Sequence, residues 1–147
     1  MTPAAALLKF FGNAIVNHKA TDTDAENVRY WDAYPETAVP SIVAGYGHDA
    51  AFPYLTYNAP FDPDCERNVS ISVNLWDYTL SEKTMNDAVS ELSDAIGAGG
   101  KQILCDGGCI WLRRGTPFAQ PITENDPKLK RRYINLTAAY HITAATY

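Results

Sequence analysis

The stretch "KRRYINLTAAYHITAATY", residues 130 to 147, restricts the fold more than any other part of the chain. Ile134, Leu136, Ala138, Tyr140, Ile142 and Ala144 recur at every second position for more than ten residues. A period of two puts alternate side chains on opposite faces of a strand, so this segment reads as one long terminal strand with a single apolar face. A helix would scatter those residues around its axis, and a strand buried on both faces would be apolar throughout. The chain is therefore committed to a sheet that something else must cover on one side.

"NVSISVNLWDY", 68 to 78, repeats the pattern, with Val69, Ile71, Val73 and Leu75 on one side and Ser70, Ser72 and Asn74 on the other. "FPYLTYNAP", 52 to 60, is rich in strand formers and closes on Pro60. The Asp and Pro residues of "FDPDCER" between these two stretches suit a turn, which predicts a hairpin with a longer loop. "KQILC" and "CIWLRR" around Asp106, Gly107 and Gly108 predict a second hairpin.

The cover comes from two helices. Thr2 and Pro3 suit an N-cap and first turn, and Leu7, Phe11, Ala14, Ile15 and His18 follow at helical spacing, predicting a helix over about 3 to 18. Ser81 opens "SEKTMNDAVSELSDAIGAGG", where Met85, Ala88, Val89, Leu92 and Ile96 form one stripe that Gly97 ends. The order is helix, loop, two strands, helix, three strands. It predicts an α+β fold, an antiparallel or mixed β-sheet with an N-terminal helix and a central helix packed on one face. At 147 residues one domain is expected. Pro and Gly residues predict long loops at about 19–51, with a short helix or a "VPSIVAG" strand inside, and at 115–127.

Charge and motifs narrow the chemistry. The net charge of −5 repels a phosphate backbone, which excludes general electrostatic nucleic-acid binding. Nor is there an apolar run of about 18 residues to span a membrane, and Lys9 interrupts the N-terminal apolar stretch, which argues against a secretory signal. Three cysteines in such a chain are expected as free thiols in a reducing cytosol. "GAGGKQ", 97 to 102, fails as a phosphate loop: Ala95 takes the first glycine position, Gln102 replaces the hydroxyl, and the helix precedes the loop. Asp22, Asp24 and Glu26 alternate as in a calcium loop, but Asn27 and Ala33 stand where Gly and Glu are needed, so a helix cap fits better.

Cys105 and Cys109 invite three readings: a hairpin tip with two facing free thiols, a cross-strand disulfide, or half of a zinc site. Zinc would need two more ligands from Cys65, His18, His48 and His141, and no second pair exists. The hairpin is the simplest. No nucleophile, base and acid set stands out, so neither an enzyme nor a cofactor is expected, although a small cysteine-dependent enzyme or metal-binding module is the alternative class. The sequons at Asn68 and Asn135 fall in predicted strands of a chain expected to stay in the cytosol, so neither is expected to carry sugar. The cluster "KLKRR", with Lys128, Lys130, Arg131 and Arg132, taken together with Arg113 and Arg114, has two readings. It is a solvated strand entrance that discourages edge pairing, or a patch that meets acidic segments of a neighbouring subunit.

Nine Tyr, five Phe and three Trp exceed ordinary needs and favour surfaces that are covered on assembly. "FPYLTYNAP" followed by "VSISVNLWDYTLSEKTMNDAVSELSDAI" resembles the tail terminator, or tail-completion, proteins of long-tailed bacteriophages. The likeness runs in order and spacing over about 50 to 145. It implies a virion protein assembled in the bacterial host cytoplasm, a ring usually of six subunits that caps the completed tail tube and meets the head–tail connector. Its partners would be itself, the tube protein and the connector, with DNA only as passing cargo and no membrane. A related neck, head-completion or minor tail protein is the nearest alternative. Tyr46, Phe118, Lys128, Lys130, Arg131 and Arg132 are the expected contact residues.

Overall fold

A computed structural model describes residues 1–17, 29–39, 52–60 and 68–142. It contains helix α1 (Pro3–Ala14), strands β1 (Val16–Asn17), β2 (Arg29–Tyr30) and β3 (Asp32–Pro35), and a 3-10 helix (Glu36–Ala38). Then follow β4 (Tyr54–Asn58), β5 (Val69–Tyr78), α2 (Lys83–Ile96), β6 (Lys101–Cys105), β7 (Gly108–Ile122) and β8 (Leu129–Ile142). Strands β1 and β2 form a small antiparallel pair. The other six make one sheet in the order β3-β4-β5-β8-β7-β6, curled into a half-barrel. Only β3 and β4 run parallel, so the sheet is mixed and the α+β expectation holds.

The two long alternating strands lie side by side at its centre. Val69 to Tyr78 of β5 pair with Ala138 to Leu129 of β8. This register sets Ile71 beside Leu136 and Val73 beside Ile134, and all four are fully buried. Each strand's apolar face thus lands on the same side, which a shift of one residue would undo. Leu55 of β4 and Ile110 and Leu112 of β7 extend that surface. Met85, Ala88, Leu92 and Ile96 of α2 and Leu7 and Phe11 of α1 cover it. The predicted α2 stripe is the buried stripe, except that Val89 sits only partly buried at its border.

Helix α1 is capped as its sequence implies, with the Thr2 hydroxyl accepting from Ala5 N–H at 3.2 Å and Pro3 opening the first turn. It stops at Ala14 rather than near 18, because Ile15 turns extended (φ −122, ψ 124). The Ile15 carbonyl accepts from Trp31 N–H (2.8 Å), and Val16 N–H donates to Glu91 Oε2 (2.9 Å). β-Branched Ile15 and Val16 favour that extended path, and it brings Trp31 into the core. For α2, Ser81 Oγ accepts from Lys83 N–H at 3.2 Å, while Glu82 holds the cap position with no side-chain bond to the helix backbone.

The expected loops are corrected in two places. Residues 115 to 122 belong to β7, and Ala119 to Ile122 pair with Ile134 to Arg131. Pro117 and Pro121 make this stretch read as loop, but among the described residues no strand lies beyond β7 once β6 ends opposite Leu112, and an edge tolerates missing N–H donors. Within it, residues 115 to 118 bulge, with Asn135 alone between their flanking pairs. Gly115 sits so close to Asn135 that an added Cβ would lie 2.7 Å from its carbonyl oxygen. In the stretch 19–51, residues 29–30 and 32–35 are strands and 36–38 a 3-10 turn. Most of "VPSIVAG" and the proposed cap at Asp22 to Asp24 lie outside the described residues.

Candidate interaction surfaces

The cysteine hairpin turns on two residues rather than three. Cys105 pairs with Gly108 and Leu104 with Cys109, which leaves Asp106 and Gly107 at the tip. Gly107 takes φ 84, and any Cβ on Gly108 would overlap the His141 carbonyl on β8. This register corrects the expectation of two facing thiols. Neighbours one position apart point to opposite faces of a sheet, so Cys105 lies on the inner side with Ile103 and Cys109 on the outer side with Leu104. A Cys105–Cys109 disulfide does not fit that geometry. Burial pushes the Cys105 thiol up, and the neighbouring Cys109 and Asp106 add to this, which makes it a poor nucleophile or metal ligand. Among the described residues no three His, Cys, Asp or Glu are placed to hold a metal ion. The tip is instead clamped to the N-terminus: the Met1 ammonium lies 2.6 Å from Asp106 Oδ1, and Asp106 N–H donates to the Met1 carbonyl at 2.7 Å.

The basic cluster is largely occupied within the molecule. Lys130 Nζ lies 3.0 Å and Arg132 Nη2 2.5 Å from the two oxygens of Glu82, beside the start of α2. Those two bonds, that to Arg132 first, hold the Glu82 carboxyl below its ordinary range. Arg131 Nε donates to Asn74 Oδ1 (2.8 Å), its Nη1 lies 3.5 Å from Glu124, and the guanidinium stands 5.1 Å from the centre of the Trp76 ring. Lys128 lies 6.0 Å from the centre of the Tyr78 ring. Arg131 and Arg132 thus point to opposite faces of β8, one into an aromatic surface and one toward a helix. Nearby, Asp77 is buried, which raises its carboxyl against the lowering effect of Tyr78 N–H.

Much of the aromatic excess gathers on the sheet face away from the helices. Tyr54 and Trp76 stack at 6.4 Å between ring centres, Phe52 meets Tyr54 at 5.3 Å and Tyr78 at 5.8 Å, and Tyr34 meets Tyr54 at 6.3 Å. Polar residues join them: Trp76 Nε1 donates to Thr56 Oγ1 (3.4 Å), and Thr56 and Asn74 are buried. The signal for this surface was present in the even positions of 52 to 56 and 74 to 78, which alternation assigns to the outer face. Tyr46 lies outside the described residues.

Among the described residues two recesses stand out, and neither has a sequence signature. One, of about 450 Å³, lies at the β7 bulge between Ala98, Arg113, Arg114, Gly115, Thr116 and Phe118. Arg114 Nη1 donates to Ser93 Oγ at 2.7 Å, and among the described residues neither Arg113 nor Arg114 meets a carboxylate. Phe118 is thereby placed beside the uncompensated arginines, apart from the cluster at 128–132. The other, of about 550 Å³, opens between the first turns of α1, the 3-10 helix, the end of β4 and Tyr140. Its lining among the described residues is mainly apolar, with Pro3, Leu7, Leu8, Pro35, Tyr57 and Ala59, and with Glu36 as the one carboxylate among them. Tyr140 donates its hydroxyl to the Pro60 carbonyl at 2.9 Å, and burial raises that phenol to about 12. No described helix is long and apolar enough to cross a membrane. Comparison with known protein families, with characterised proteins and with solved structures found no match.

Proposed function

We propose that this protein is a structural subunit of a long-tailed bacteriophage, a tail terminator that forms a ring on the finished tail tube and presents a face to the head–tail connector. The order and spacing over about 50 to 145 carry the reading. In the fold that stretch makes paired strands β4 and β5 followed by α2, closed by the long strand β8. Further support comes from the surfaces: Leu80 and Leu104 are exposed, and a mainly apolar recess opens beside the 3-10 helix. A subunit with net charge −5 also suits a lumen through which DNA passes without sticking, provided acidic residues line it.

The test adds purified protein to polymerising tube protein of the same phage and follows tube length by electron microscopy. Tubes should stop growing and carry a terminal ring. Unchanged elongation with bare ends would defeat the reading.

A further inference from the structure

We propose that Cys109 and His141 form half of a binding site for a soft divalent cation, zinc above all, and that a second copy of this chain supplies the same two ligands across a two-fold axis. The site goes beyond the tail reading and does not rest on it.

Strand register carries the first step. Cys109 of β7 stands directly opposite His141 of β8, and residues so paired share a face. The β6–β7 register sets Leu104 beside Cys109 in the same row. All three lie on the sheet face away from the helices, because Ile110 and Tyr140, the adjoining residues, are buried in the core. His141 is exposed and Cys109 half-buried. Directly opposite Cβ atoms stand about 4.5–5.5 Å apart. A tetrahedral zinc, with Zn–S near about 2.3 Å and Zn–N near about 2.0 Å, needs its sulfur and nitrogen roughly 3.5 Å apart, which such a pair reaches by choice of rotamer. The strands are also held close at this end, since Gly108 leaves no room for a Cβ against the His141 carbonyl. Cys105 takes no part, because it lies on the inner side.

A closed zinc site takes four ligands, and among the described residues no third His, Cys, Asp or Glu joins these two. Two copies about a two-fold axis complete a Cys2His2 set, and the contact is then self-complementary. Packed sheets lie about 10 Å apart, so a metal midway stands about 5 Å above each, a height that both side chains reach. The surroundings suit a like partner. Leu104 is 73% exposed, and two residues along the strands Gln102, half-buried Trp111 and Ala139 form the next row. Neither row carries a carboxylate, Lys or Arg, so at net charge −5 two copies meet least repulsion on this patch. Binding exchanges each Cys109 thiol proton for a bond to the metal, and the proton goes to solvent.

The test adds zinc or cobalt to the full chain in a phosphine reductant and follows it by native mass spectrometry, sedimentation and visible absorption. The metal should double the mass of the species present without it, with one ion per two chains, and EDTA should reverse this. Bound cobalt should show the intense d–d bands of a tetrahedral site and a thiolate charge-transfer band. Cys109→Ser and His141→Ala should each weaken the metal-dependent association at least about tenfold, since a lost ligand costs no less than the lost support of one. Leu104→Lys should weaken it severalfold, and Cys105→Ser should leave it unchanged, with circular dichroism confirming that each variant folds. Octahedral cobalt, a mass unchanged by metal, or metal-dependent association that survives His141→Ala or falls equally with Cys105→Ser overturns the proposal.

Discussion

Glu82 and Asp77 lie at the same end of the sheet and respond to pH with opposite sign. Glu82 is held low by Arg132 and Lys130, so its stabilising effect is present above the unfolded-state value and is lost as pH falls through the lowered folded one. Glu82→Gln should cost a few tenths to about 1 kcal/mol at pH 7, a small value because the side chain is half exposed. Urea denaturation at pH 7 and in acid should show the gap between the two proteins closing at low pH. Asp77 is raised by burial, so its contribution is present below the unfolded-state value and is lost as pH rises through the raised folded one. Asp77→Asn keeps an oxygen for Tyr78 N–H and should be at least as stable as the parent at pH 7, with any gain vanishing in acid. A loss at neutral pH would mean that the ionised carboxylate has a favourable partner.

Elements respond according to what they bury. Leu92 is fully buried on α2 against the sheet, so Leu92→Ala should cost about 2–5 kcal/mol, readable as a lower denaturation midpoint. Leu80→Ala, at 69% exposure, should stay within about 0.5 kcal/mol. The β6–β7 hairpin makes a chemical prediction: mild oxidation should leave no Cys105–Cys109 link in a peptide map, because the register turns the two side chains to opposite faces. Spacing alone left that question open. Three residues separate the cysteines whether the turn takes two residues or three, and only the pairing of Cys105 with Gly108 decides it.

For the whole molecule, the charges at 128–132 do internal work before any assembly. Arg132→Glu would set a carboxylate beside Glu82 and leave Lys130 as the only cation there, and should cost about 1–2 kcal/mol. Thermal unfolding of the isolated variant measures this, with a decrease of several degrees expected. Defective assembly in an Arg131, Arg132 double variant would therefore report a weakened fold as much as a lost contact.

Much of this protein was legible locally. Alternation in 68–78 and 134–142 fixed two strands and their buried faces, and the stripe from Met85 to Ile96 fixed a helix and its inward side, because both periods follow from backbone geometry within a few residues. Tertiary structure decided what depends on distant partners. The early end of α1 follows from Trp31 and Glu91 capturing the backbone at Ile15 and Val16. Strand character through Pro117 and Pro121 follows from β7 standing at an edge there. The internal role of the basic cluster follows from Glu82, Asn74 and Trp76, some fifty residues away in sequence. The apolar recess joins α1, the 3-10 helix, β4 and β8, segments that no local period connects, so only folding brings it into being.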